Sequence, residues 1–109
     1  MIARTLFMTM ALFSIVQANA KEMALQGAGA TTCAVFANLY KLDSERTENL
    51  YFTWTQGYLS GWNAAQIDAK KPYVNLAKMD VKAQEALLRR YCDQHPLGNY
   101  LDAVFNLID

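Results

Sequence analysis

Two cysteines and one histidine are the side chains of this 109-residue sequence best suited to nucleophilic, redox or metal chemistry. Cys92 lies three positions before His95, with Asp93 between them. An imidazole beside a thiolate would make a nucleophile, but only if that thiol is free. The other cysteine, Cys33, is too distant in the chain for a CxxC redox motif. One histidine and no close Cys/His cluster leave no zinc signature. The carboxylates Asp43, Glu45, Glu48, Asp68, Asp80, Glu85, Asp93 and Asp102 are scattered, with no pair visibly placed on an apolar face for acid–base work. Gly27-Ala28-Gly29 lacks the further glycine and the preceding strand of a phosphate cradle. The reading is therefore of a non-enzyme, with no catalytic residue, metal ligand or cofactor assigned. His95 is retained as a pH-sensing candidate, because a helix C-terminus would favour its protonated ring.

The compartment decides what the cysteines do. Met1–Ala20 holds Arg4, an apolar run from Leu6 to Val16, and Ala18-Asn19-Ala20. These are the charged, apolar and cleavage regions of a signal peptide. The apolar run is too short for an ordinary membrane span. Cleavage after Ala20 is expected, giving a periplasmic or secreted chain over residues 21–109, one helical domain with no stable membrane insertion. The full sequence has ten Lys/Arg and ten Asp/Glu. Losing Arg4 leaves a net charge near −1, with no basic field for nucleic acid. Two cysteines behind an export signal imply a disulfide, Cys33–Cys92. Closing a loop of about 60 residues would stabilise the fold by roughly 4 kcal/mol in the chain-entropy model.

The element that would position everything else is Leu50–Gln66, an uncharged stretch holding Tyr51, Phe52, Trp54, Tyr58 and Trp62. At helical spacing Leu50, Trp54, Gly57, Gly61 and Ala65 share a face, with Tyr51, Tyr58 and Trp62 on its flanks. Glycine within a helix costs about 1 kcal/mol relative to alanine. Gly57 and Gly61 therefore predict a tight approach of a neighbouring backbone in a soluble core. The same spacing also marks membrane helix dimers, but Thr53, Thr55, Gln56, Ser60 and Asn63 suit lipid poorly. Tyr51, Trp54, Tyr58 and Trp62 are the candidate partner-binding residues, since a small domain cannot bury every ring.

Around this helix, residues 21–30 read as a flexible or loosely docked lead-in. A first helix should run from Cys33 to about Leu42, capped by Thr31 or Thr32, with Cys33, Phe36, Ala37 and Tyr40 on its inner face. Ser44 is a capping candidate for the central helix, which should end near Gln66 or Ile67 before Pro72. Asp80 should cap a third helix, from Val81 to about Gln94. Its seam would be Val81, Leu88 and Cys92, with Glu85 mostly off it. After His95-Pro96, Leu97, Leu101, Val104, Phe105 and Ile108 fit one amphipathic face of a fourth helix. The fold class expected is all-α, a compact bundle of about four helices around the aromatic and glycine-rich one, held by one disulfide.

Three motifs carry a resemblance: C-x-x-F at Cys33 and Phe36, W-x-x-G-Y-L-S-G-x-N from Trp54 to Asn63, and Y-C-x-x-x-P-L from Tyr91 to Leu97. With the export signal and long-range disulfide, this layout resembles the HdeA/HdeB group of periplasmic acid-stress chaperones and uncharacterised exported proteobacterial proteins loosely grouped with them. The G-Y-L-S-G run is also similar to one in Tai-type periplasmic immunity proteins. The first resemblance implies a chaperone-like protein that binds unfolding clients when acid protonates its carboxylates. The second implies a module that binds and inhibits one exported effector. The partner is a protein client or a specific protein in either case, and a homodimer is compatible with both.

Overall fold

The computed structural model describes residues 24–109, so the signal peptide expected over Met1–Ala20 and its boundary at Lys21 lie outside the described residues. Helix boundaries follow from capping. Thr32 opens α1 (Cys33–Leu42) by accepting a hydrogen bond from the Val35 amide at 3.2 Å. Asp43 closes α1 through its own amide, bonded to the Leu39 carbonyl. It also opens α2 (Ser44–Asp68) by accepting from the Arg46 amide at 3.1 Å. Asp43, not Ser44, is thus the cap, and one residue forms the joint between two helices. Asp80 caps α3 (Val81–Gln94) through the Ala83 amide at 2.7 Å. The Asp102 carboxylate accepts from the Asn99 amide at 3.1 Å and starts α4 (Tyr100–Ile108). Each interaction satisfies an amide that the first helical turn would otherwise leave unpaired.

The fold is all-α, with four helices and no strand among the described residues. An isolated antiparallel bridge joins Thr32 to Asn99, with Cys33 N donating to Gly98 O at 2.9 Å and Tyr100 N to Thr31 O at 3.0 Å. The starts of α1 and α4 are therefore stitched together. The disulfide Cys33–Cys92 joins the first turn of α1 to the last turn of α3 with a Cα separation of 4.8 Å, and both residues are buried. No helix among the described residues is long and apolar enough to cross a membrane.

The core forms where α1, α2 and α4 meet. The rings of Phe36, Tyr51 and Tyr100 make a triangle with centroid separations of 4.7, 5.1 and 4.8 Å. Leu59, Leu88, Ala103 and Val104 extend it toward α3. Burying two tyrosines requires partners for their hydroxyls. Tyr100 Oη lies 2.7 Å from Thr55 Oγ1, which donates to the Tyr51 carbonyl at 2.9 Å. Tyr51 Oη lies 2.8 Å from Thr31 Oγ1. Every buried side-chain polar atom among the described residues has a partner. Burial drives the Tyr100 hydroxyl well above the usual phenol range, so it stays protonated.

Several sequence expectations need correction. The inner face of α2 is Thr47, Tyr51, Thr55 and Leu59, with Phe52 beside it, not the Leu50–Gly57–Gly61 face. A Cβ added at Gly57 or Gly61 would meet nothing within 4 Å, so no backbone packs there. The apolar pattern misled because Thr47 and Thr55 look polar, although Thr55 is fully buried once its hydroxyl is bonded. The tight approach lies instead at Gly29. A Cβ there would run into the Trp54 indole, and Trp54 Nε1 donates to the Gln26 carbonyl at 2.8 Å. Gly27, beside the same ring, has φ +89°, a conformation side chains disfavour. From Gln26 to Ala30 the lead-in is therefore docked, with a 3-10 turn at Ala28–Ala30.

In α3, Val81 is exposed while Gln84 and Glu85 are buried with Leu88 and Cys92. Gln84 donates to the Leu76 and Met79 carbonyls, strapping the preceding loop to the helix. In α4 the cap at Asn99 leaves Leu97 outside the helix and wholly exposed. The buried positions are Tyr100, Ala103 and Val104, and Phe105 turns outward.

Candidate functional site

Two groupings of side chains reach the surface with unusual chemistry, one aromatic and one charged. Trp54 and Tyr58, one turn apart on α2, stack with centroids 5.2 Å apart and planes 13° apart. Phe105 from α4 meets Tyr58 edge-on at 6.1 Å. Trp54 and Tyr58 are half-buried and Phe105 is 38 % exposed. A recess of about 370 Å³ beside them is lined by Ala24, Leu25, Gln26, Thr53, Gly57 and the two stacked rings. The docked 3-10 turn fixes Trp54, Trp54 fixes Tyr58, and the cap of α4 sets the phase that turns Phe105 outward. The result is a rigid, partly exposed aromatic surface built from two helices.

Of the four rings singled out in the sequence, only Trp54 and Tyr58 fall together here. Tyr51 is 2 % exposed and belongs to the core, so it offers no surface in the folded chain. Trp62 is half-buried further along α2. The sequence pattern puts Phe105 on the amphipathic face of α4 that should meet the core, and the structure turns it outward. Its exposure follows from the shift in helix phase that Asn99 imposes.

The charged grouping joins α2 to α3. Arg89 Nη1 of α3 pairs with Glu48 Oε2 of α2, and the guanidinium carbon lies 5.4 Å from the centre of the Tyr40 ring of α1. Glu85, one turn before Arg89, lines the same recess as Glu48, and exposed Lys82 stands 3.8 Å from Glu85. Burial pushes the Glu48 carboxyl above its usual value, Arg89 opposes the shift, Glu85 adds to it, and burial prevails. The recess over this cluster, about 300 Å³, is also lined by Tyr40, Ser44, Glu45 and Asn49. Two carboxylates do converge, contrary to the scattered picture drawn from sequence. The sequence signal available was only that Glu85 shares a helical face with Leu88 and Cys92, at i, i+3 and i+7.

His95 sits in the open at the end of α3. Its ring stacks on Tyr91 at 4.0 Å and its Nδ1 lies 2.8 Å from the Tyr91 carbonyl. Cys92 is committed to the disulfide, and no free cysteine remains among the described residues, so the pairing of His95 with a thiolate does not arise. Compared with protein-family models, curated proteins and solved structures, the chain matches none.

Proposed function

We propose that the chain is a non-enzymatic exported protein-binding domain that engages a specific protein partner in its folded state. The observation that carries this reading is the Trp54–Tyr58–Phe105 surface, where three rings are held rigidly at the edge of the core. Rigid aromatic groups bury much area at little entropic cost, which suits them to anchor an interface. The disulfide and the fully partnered buried polar groups support a domain that persists outside the cell. The partner class is an exported effector or enzyme, in keeping with the similarity to Tai-type immunity proteins. Affinity capture at neutral pH with the full mature chain and with Phe105→Ser tests the reading. A stoichiometric partner that the variant loses supports it. Equal recovery by both chains, or no partner, defeats it.

The acid-stress chaperone reading is kept second because the disulfide would hold α1 to α3 while acid loosened the other contacts. Protonating the carboxylates leaves the cationic side chains to repel one another. Glu48 acts against this loosening. Its raised value means the folded chain takes up that proton more readily than the unfolded chain, so mild acid favours folding at this site. Suppression of client aggregation at pH 2–3 but not at pH 7 would favour this second reading over the first.

A further inference from the structure

Among the described residues, no other element covers the outer face of α2, although Ala24–Gln26 and Leu76–Met79 border its two sides. From Asn49 to Ile67 the helix carries no charge, although Asn49, Thr53, Gly57, Ser60, Ala64 and Ile67 are all exposed. A solvated helix face ordinarily carries charged residues. Leu50 and Ile67, 57 % and 56 % exposed, stand near its two ends. Just beyond them are Arg46 and Asp68, both exposed and both without an ion pair among the described residues. The chain leaving α2 does not cover this face. It is strapped to the other side by Asn63, which bonds the Val74 amide and carbonyl at 2.9 and 2.8 Å, and by Gln66, which donates to the Pro72 carbonyl at 3.0 Å.

We propose that this face pairs with the same face of a second copy of the chain, the two α2 helices running antiparallel and crossing at Gly57 and Gly61. The distribution of charge selects this occupant. A two-fold axis midway between the glycines lays Leu50 of one copy over Ile67 and Asp68 of the other. It brings Arg46 within about one helical turn of the opposing Asp68, at both ends of the interface. A parallel pair would instead set Arg46 against Arg46 and Asp68 against Asp68. Antiparallel packing also opposes the unlike ends of the two helix dipoles. The open space at Gly57 and Gly61 lets the axes approach to the short end of the usual range of about 8–10 Å. A face roughly 30 Å long and 10–12 Å wide offers on the order of 300–360 Å² per copy. The total, roughly 600–700 Å², is below the range of about 1,200–2,000 Å² for stable specific interfaces, so the pair is a weak dimer that forms at high concentration.

The face borders the aromatic surface and shares Thr53 and Gly57 of its recess, but Phe105 of α4 lies outside it, so Phe105→Ser separates the two surfaces. It is tested by sedimentation of the oxidised mature chain at pH 7 and low salt, from 5 to 500 µM. Dimer formation is expected over this range. Gly61→Leu should shift the midpoint at least tenfold upward with an unchanged helical circular-dichroism spectrum. Arg46→Asp and Asp68→Arg should each weaken self-association, and mixing the two variants should restore it, because every end of the mixed pair is then oppositely charged. A monomer at 500 µM overturns the proposal and leaves the face to a different protein. So does a dimer indifferent to Gly61→Leu, or a charge-variant mixture no stronger than either variant alone.

Discussion

The indole of Trp54 fills the space that a side chain at Gly29 would need, and it is tied to the same segment by its bond to Gln26. This contact makes the segment from Gln26 to Ala30 a wall of the aromatic surface. Gly29→Ala must displace the ring or the 3-10 turn, at a cost of about 1–3 kcal/mol for overpacking. Urea unfolding followed by tryptophan fluorescence should show that loss, together with a spectral change in the folded state. An unaltered midpoint would mean that the turn is not docked.

Gly57 and Gly61 should behave in the opposite way. A methyl group at either position meets nothing in the monomer. Gly57→Ala and Gly61→Ala should therefore each stabilise the fold by about 0.5–1 kcal/mol through helix propensity. Thermal unfolding at low protein concentration, where any dimer is dissociated, reads this directly. A destabilisation there would restore the tight intramolecular contact that the sequence spacing suggested.

Glu48 gives a pH dependence with a definite sign. Its folded-state value lies above the reference value of 4.5. The folded chain therefore binds this proton at a higher pH than the unfolded chain. The site's contribution to stability increases as pH falls through the folded value, and it is complete below the unfolded one. Glu48→Gln removes that contribution. The stability of the wild-type chain relative to the variant should rise between pH 7 and pH 4 in urea titrations. A relative fall over the same interval would show that Arg89 dominates burial and that the carboxylate is held charged.

The disulfide should contribute on the scale of its loop. Cys33→Ser combined with Cys92→Ser should cost about 2–5 kcal/mol, most of it through the freedom restored to the unfolded chain. Comparing urea midpoints of the oxidised chain and the double variant checks this. A difference below 1 kcal/mol would mean that the stitch between Thr32 and Asn99 already holds α1 in place.

What could be read from sequence was the local chemistry. Asp80 caps where its side chain and the following periodicity place it, Thr32 is the one of Thr31 and Thr32 that caps α1, and Cys33 bonds Cys92. The phase of α2 and α4 was harder, because it depends on tertiary hydrogen bonds. Thr55 looks like a surface residue until Tyr100 and the Tyr51 carbonyl are beside it. Asn99 determines that Tyr100, not Leu97, begins the buried face of α4. The aromatic surface inherits both effects: Trp54 and Tyr58 were named from the central stretch, while Phe105 emerged only with the correct phase. The meeting of Glu48 with Glu85 and Arg89 depends on how α2 lies against α3, which no local pattern encodes.

The binding reading stands or falls on whether one patch of the folded surface touches one protein. Phe105→p-benzoylphenylalanine and, as a fully exposed control off the patch, Leu97→p-benzoylphenylalanine would be irradiated in living cells at neutral pH. A single discrete crosslinked partner, distinct from a second copy of the chain, is expected from position 105 and not from position 97. The same diffuse products from both positions, or none from 105, would contradict it.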